Sequence, residues 1–239
     1  MVPTALYQSG KARARLTIAL LVAIIVLDLS GIGSGFLQIN LLSRAVAGNV
    51  VTEEEVAFND LRHGTIVGLR SLAYLCATIA FLLWIHRAYK NLPALGARNL
   101  QYSPGWAVGW WFIPFANLIY PFRVVREIWN KSDPAYDPET SFLWEGAGAP
   151  ALLGWWWGLW IISNLAGHVV YRMFSNARSP DQFLLATQLD MAASLITVAA
   201  AALAILVVKG ISERQEERER RYGPQGMPPP PPIFAQNDH

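Results

Sequence analysis

Cysteine is almost absent from this sequence: Cys76 is the only one in 239 residues. That excludes an intramolecular disulfide and any site built from several thiolates, and it leaves the redox compartment open. Charge is scarce as well, at 15% of residues, where soluble domains carry about a quarter. A net charge of +2 without a long basic face argues against nucleic acid as a partner. There is no Gly-rich phosphate loop, no H-E-x-x-H and no nucleophile elbow, so no catalytic, cofactor-binding or metal residue is assigned and no cofactor is expected. His86 and His168 could be imagined as axial haem ligands, but they fall near opposite ends of adjacent apolar blocks without a paired histidine pattern.

What the sequence does have is apolar residues, 53% of the chain, gathered into long blocks. A hydrocarbon core about 30 Å thick takes roughly twenty helical residues to cross. Blocks at about 16–42, 64–86, 151–173 and 184–208 meet that length. The first follows Lys11, Arg13 and Arg15 and so has the opening of a secretory signal, but no A-x-A site follows and the apolar run continues past Asp28. A further segment, 105–129, begins like a membrane helix and is broken by Pro114 and Pro121.

Lysine and arginine concentrate on cytoplasmic flanks. The N-terminus and the Arg-rich stretch after Lys209 are both basic, which asks for an even number of crossings. With 105–129 not crossing, the basic stretch from Arg87 to about Pro150 is cytoplasmic, and the acidic stretch 43–63 is an outer loop. The expectation is an all-α integral membrane helical bundle: four transmembrane helices plus a re-entrant or interfacial helical segment. Residues 1–15 form a basic cytoplasmic N-terminus, 16–210 the membrane domain, and 211–239 a charged helix extension and a disordered Pro-rich tail. Glu216 to Arg220 and Glu217 to Arg221, each at i,i+4, support the extension. A five-crossing chain is the alternative, since prolines occur in real spans.

Four ionisable residues lie inside the apolar blocks: Asp28, Arg70, His168 and Asp190. Each costs at least about 2.5 kcal/mol in a bilayer centre and needs a partner or a watery cavity. Helical spacing puts Asp28 on a stripe with Gly31, Gly35 and Gln38, Arg70 with Tyr74, His168 with Asn164, and Asp190 with Thr187 and Ser194. These stripes predict a polar cluster in the outer half of the bundle, with Arg70 paired to Asp190, Asp28 or both. A site for a small ligand, ion or proton would look like this, and so would an ion pair that only fixes helix register. GxxxG spacings at Gly31/Gly35, Gly64/Gly68, Gly105/Gly109 and Gly154/Gly158 predict close helix packing.

The densest local pattern lies between Trp84 and Trp129. It comprises Trp84, Arg87, Asn91, the Ser103-Pro104-Gly105-Trp106 turn, Trp110, Pro114 to Asn117, Pro121, Arg123, Glu127 and Trp129. In these residues the chain resembles the bacterial membrane-protein family known as domain of unknown function 4328, with Tyr120 departing from the more polar residue expected there. The resemblance implies a bacterial multi-pass membrane protein and supplies no chemistry; with the basic flanks, the expectation is a plasma-membrane protein with both termini cytoplasmic. It marks a second candidate location on the cytoplasmic face, formed by Arg87, Asn91, Asn117, Arg123 and Glu127, where anionic headgroups would be attracted. The expected function is a non-enzymatic membrane component that binds lipids, or a protein partner at the cytoplasmic loop or the Pro-rich tail. A small transporter or channel using the intramembrane cluster is the runner-up and a membrane enzyme the third reading. The oligomeric state is open.

Overall fold

A capping box opens the second long helix. The Thr52 side chain accepts from the Glu55 backbone N–H, and the Glu55 carboxylate accepts from the Thr52 N–H at 3.0 Å. Glu53, Glu54 and Glu55 then sit in the first turn, against the positive end of the helix dipole. The helix therefore starts well before its apolar block, and most of the acidic stretch expected as a loop is helical. Arg44, in the last turn of the preceding helix, closes the connection through Glu55 at 2.5 Å.

The computed structural model describes residues 6–137 and 150–222. The elements are α1 (Lys11–Val46), α2 (Glu53–Asn91), the short α3 (Pro104–Gly109), two 3-10 turns, α4 (Tyr120–Lys131), α5 (Ala151–Asn176) and α6 (Pro180–Tyr222). No strand forms among the described residues. The pentaproline segment expected to be disordered lies outside them.

The four long helices run alternately up and down. α1 packs between α2 and α6, and α5 packs on the far side of α6. Small residues let α1 and α6 approach: a Cβ at Gly35 would meet Met191 Sδ at 2.7 Å. Two ends can be distinguished. At one, here the outer end, the α1–α2 turn lies beside the α5–α6 turn, with His63 against Phe174 at 5.7 Å. At the other, the inner end, sits the core of large side chains: Trp84, Tyr89, Leu92, Ile128, Leu153, Trp156 and Ile211, all buried. The second cluster of buried apolar residues is small, Ile24, Ala77 and Ala201.

Outside the bundle the usual arrangement is inverted. Val22, Val26, Leu29, Phe36, Leu72, Leu75, Ile79, Ile162, Leu165 and Leu195 all point outward from the helices. α1, α2 and α6 are long and apolar enough to cross a membrane by length and composition. That is three such helices among the described residues, where four were expected. α5, at 26 residues, is the one outside this group. Its four tryptophans with Asn164 and His168 lower its mean hydropathy.

The broken segment folds as a hairpin. α3 continues into a 3-10 turn over Trp110–Phe112, the chain reverses at Phe115 with φ +62°, and α4 returns. Trp111 wedges the hairpin between α2 and α5, with edge-on contacts to Phe81, Trp157 and Trp160 at 5.6, 5.8 and 5.5 Å. The Trp157 indole donates to the Leu118 carbonyl at 3.0 Å. Phe81 lies ten residues before the end of α2, so the tip reaches roughly 15 Å along the bundle from its inner end.

Candidate functional site

The outer half of the bundle is held by an ionic centre. Arg70 on α2 reaches Asp28 on α1, Nη2 to Oδ1 at 2.5 Å, and Asp190 on α6, Nη1 to Oδ2 at 3.2 Å. Its Nη2 also donates to Ser194 Oγ at 3.0 Å, and the Tyr74 hydroxyl donates to Asp28 Oδ2 at 3.2 Å. Asp28 and Ser194 are buried. Gly31 makes the arrangement possible: a Cβ there would stand 3.3 Å from Arg70 Nη1, which is closer than side chains tolerate without shifting.

About two turns toward the outer end, Arg62 donates to Ser34 Oγ at 3.0 Å and to Asn59 Oδ1 at 2.6 Å. Those partners are neutral, so Arg62 supplies the second positive charge of the column. Two arginines and two aspartates sum to zero. His168 does not join them. It is exposed on α5, and Asn164 of the same stripe bonds back to its own helix at Trp160 O. The α5 stripe was polar enough to be mistaken for an inward face, but α5 turns Leu153, Trp156, Trp157 and Val170 inward instead.

The inner end carries a denser polar network built around the Trp84 to Trp129 pattern. Glu127 and Lys131, one turn apart on α4, are both buried and pair at 3.2 Å. The Lys131 ammonium completes its three donors on the carbonyls of Arg98 and Asn99, at 2.7 and 2.5 Å. Glu127 accepts from the Tyr89 hydroxyl at 2.7 Å and from the Gln101 N–H at 2.9 Å, and Tyr89 accepts from the Tyr102 N–H at 2.8 Å. One ion pair thus fixes the 98–102 loop, where Asn99 adopts φ +53°.

α6 enters the same network beyond its apolar part. Gln215 donates to the Ala88 carbonyl at 2.8 Å and to Ser132 Oγ at 3.0 Å, while Asn91 donates to the Gln8 carbonyl at 2.9 Å. Arg218, only 3% exposed, donates to the carbonyls of Leu95, Asp133 and Tyr136 at 2.7, 2.7 and 2.8 Å. Arg214 pairs with Asp133 at 2.7 Å and lies 4.1 Å over the Trp129 ring, which packs on Gly210. Trp84 donates to Ser212 at 3.1 Å.

Glu216 does not reach Arg220 as expected. It accepts from Tyr7 at 2.9 Å and Ser9 at 2.5 Å and pairs with Lys11 at 3.0 Å, tying the N-terminal segment down, while Glu217 takes both Arg220 and Arg221. Burial pushes the Glu216 carboxyl up, but the bonds from Ser9, Lys11 and Tyr7 outweigh it and hold the group below its ordinary value.

The remaining pattern residues line the hairpin. Trp106 and Trp110 meet at a tilt of 34° with centroids 4.7 Å apart, Trp110 and Tyr120 stack at 4.1 Å, and the Arg123 guanidinium lies 5.6 Å over Tyr120. Pro114 is exposed at the tip, Asn117 is half-buried just after it, and Arg87 is half-buried against Gly10. No group of three or more metal-ligating side chains occurs among the described residues. Tyr89, Lys131, Gln215 and Arg218 were not singled out from the sequence. Only Lys131 left a trace there, its i,i+4 spacing from Glu127.

Long helices with apolar side chains outward and ionised ones paired within define an all-helical protein compatible with embedding in a membrane. The chain belongs to the family described as "Domain of unknown function (DUF4328)", which it matches over residues 47–213. That range contains the whole Trp84 to Trp129 pattern, Arg70 and Asp190, and it begins after α1. Comparison with curated proteins and with solved structures gave no match.

Proposed function

We propose that this chain is a non-enzymatic component of the bacterial plasma membrane that crosses the bilayer four times, with both ends cytoplasmic, and binds lipids or a protein partner through its inner end. One observation carries the reading: α3, α4 and the 98–102 loop are bolted to α2 and α6 by saturated buried ions, yet the hairpin tip they hold is left bare. A rigid mount for an unsatisfied surface suits recognition.

Two features support α5 as the fourth crossing. At 26 residues it reaches about 39 Å, and its outward Trp155, Ile162, Leu165 and Val169 continue the apolar belt of the other three helices. The hairpin then enters from the cytoplasmic side and returns, with Trp106 at headgroup depth, where indole is favoured. A protein partner would contact the cytoplasmic loop or the Pro-rich tail. Transport through the ionic centre is less well supported, because Arg70 already engages two carboxylates and a hydroxyl.

The test is a topology reporter fused after Asp137. This reading expects fluorescence from a cytoplasm-dependent reporter and silence from an alkaline phosphatase fusion; phosphatase activity there would remove it.

A further inference from the structure

The tip of the hairpin is apolar over its whole turn. Phe112 is 71% and Phe115 84% exposed, and Ile113, Leu118 and Ile119 stand out beside them. Beside that tip runs the aromatic ladder of Trp106, Trp110 and Tyr120, whose end is covered by Arg123. Arg126 follows at i,i+3 and so shares the face.

Neither arginine forms an ion pair among the described residues, in contrast to Arg44, Arg70, Arg214, Arg220 and Arg221. The Arg123 guanidinium lies over the Tyr120 ring, which in turn meets Tyr102 edge-on at 6.4 Å. Two guanidinium groups with no ion-pair partner among the described residues lie at the foot of an exposed apolar turn, next to Trp106, Trp110 and Tyr120.

We propose that this surface is a binding site for one anionic glycerophospholipid of the cytoplasmic leaflet. Its phosphate sits between Arg123 and Arg126, and its acyl chains lie along Phe112 and Phe115. The assignment rests on the four-crossing reading, which places the hairpin in that leaflet. Charge complementarity selects the lipid. Arginine forks match phosphate oxygens in two parallel bonds, and aromatic side chains beside them favour the boundary between headgroup and hydrocarbon. A zwitterionic lipid brings its own cation to the same place and gains less. A partner protein would find the tip sunk beside α2 and α5 at the level of Trp111, accessible to lipid and hidden from the aqueous phase.

Native mass spectrometry of the full chain in an uncharged detergent tests this, with dioleoylphosphatidylglycerol and dioleoylphosphatidylcholine supplied in turn. The expected result is one phosphatidylglycerol retained under activation that strips phosphatidylcholine. The R123Q/R126Q double variant should retain it about tenfold less well, the loss of one or two charge-assisted bonds. F112S/F115S should also lower retention. Both pairs are chosen at the periphery, and an unchanged thermal midpoint verifies that the fold is intact. Equal retention of the two lipids, or no loss in the arginine variant, overturns the site. Displacement by inorganic phosphate with no effect of F112S/F115S overturns it in favour of a soluble anion, and a dimer lost in F112S/F115S overturns it in favour of self-association. A cytoplasmic reporter at Asp137 together with any of these failures removes this inference and leaves the topology standing.

Discussion

The two ends of the bundle solve the problem of buried charge in opposite ways. In the outer half, the central cation is answered by carboxylates: Arg70 stands between Asp28 and Asp190, three helices meet at one guanidinium, and small residues such as Gly31, Ala77 and Ala201 surround it. At the inner end, cations are answered mainly by backbone: Lys131 holds two carbonyls besides Glu127, and Arg218 holds three carbonyls, within a core of large aromatic and branched side chains. The first arrangement sets how helices face one another. The second fixes where a loop and a hairpin lie. A helix-to-helix ion pair can be replaced as a unit, because its members satisfy each other; a cation that organises backbone carbonyls has no such substitute.

The sharpest way to break this contrast is at Arg70. Arg70→Met leaves two carboxylates without their cation, and removing one partner of a buried pair costs about 3–5 kcal/mol. A large fall in the thermal midpoint in detergent is expected, with most of it regained in the R70M/D28N/D190N triple variant. Should R70M melt with the wild type, the ionic centre holds nothing.

Lys131→Met comes next. It takes the donor from the Arg98 carbonyl and the counter-charge from Glu127, for a loss of about 3 kcal/mol. Here the compensating E127Q/K131M variant should recover little, because the ammonium that held the loop carbonyls is still missing. Recovery as complete as at Arg70 would erase the distinction between the two ends. Gly35→Ala brings a methyl onto Met191 and should cost about 1–2 kcal/mol, read as a modest drop in midpoint, whereas alanine at Gly64, which faces open space, should cause no drop and a slight rise from its better helix propensity.

The smallest effect concerns pH. Glu216 titrates below its ordinary value when folded, so its contribution is complete above the unfolded carboxylate value and is lost as pH falls through the lower, folded one. The N-terminal segment should loosen as pH falls into the acid range, seen as faster cleavage there by an acid-active protease such as pepsin relative to the rest of the chain. Glu216→Gln should make that cleavage fast and independent of pH; a wild-type rate that does not respond to acid would separate Glu216 from the strap.

How far these features can be read without coordinates follows the same division. The residues of the outer centre lie on helical stripes, where 3.6-residue periodicity puts Asp28 with Gly31 and Gly35, Arg70 with Tyr74, and Asp190 with Ser194. Apolar surroundings make each of them conspicuous. His168 fails the same reasoning because periodicity defines a face but not its direction, and α5 directs its tryptophans inward. The inner network was largely invisible. Arg214, Gln215 and Arg218 sit in a run of charges that reads as a solvated extension, and nothing local reveals that carbonyls 80 or more residues away will receive them. The aromatic pattern from Trp84 to Trp129 marked the region correctly as dense without disclosing that Tyr89 and Lys131 are its hinge pins.

α6 joins the two worlds. Its 43 residues form one unbroken rod of about 65 Å, with Asp190 in the ionic centre near one end and Arg214 and Arg218 gripping the cap near the other. Held at both ends, it cannot slide along its own axis: a shift of one residue would pull Asp190 out of reach of Arg70 and Arg218 off its three carbonyls in the same movement.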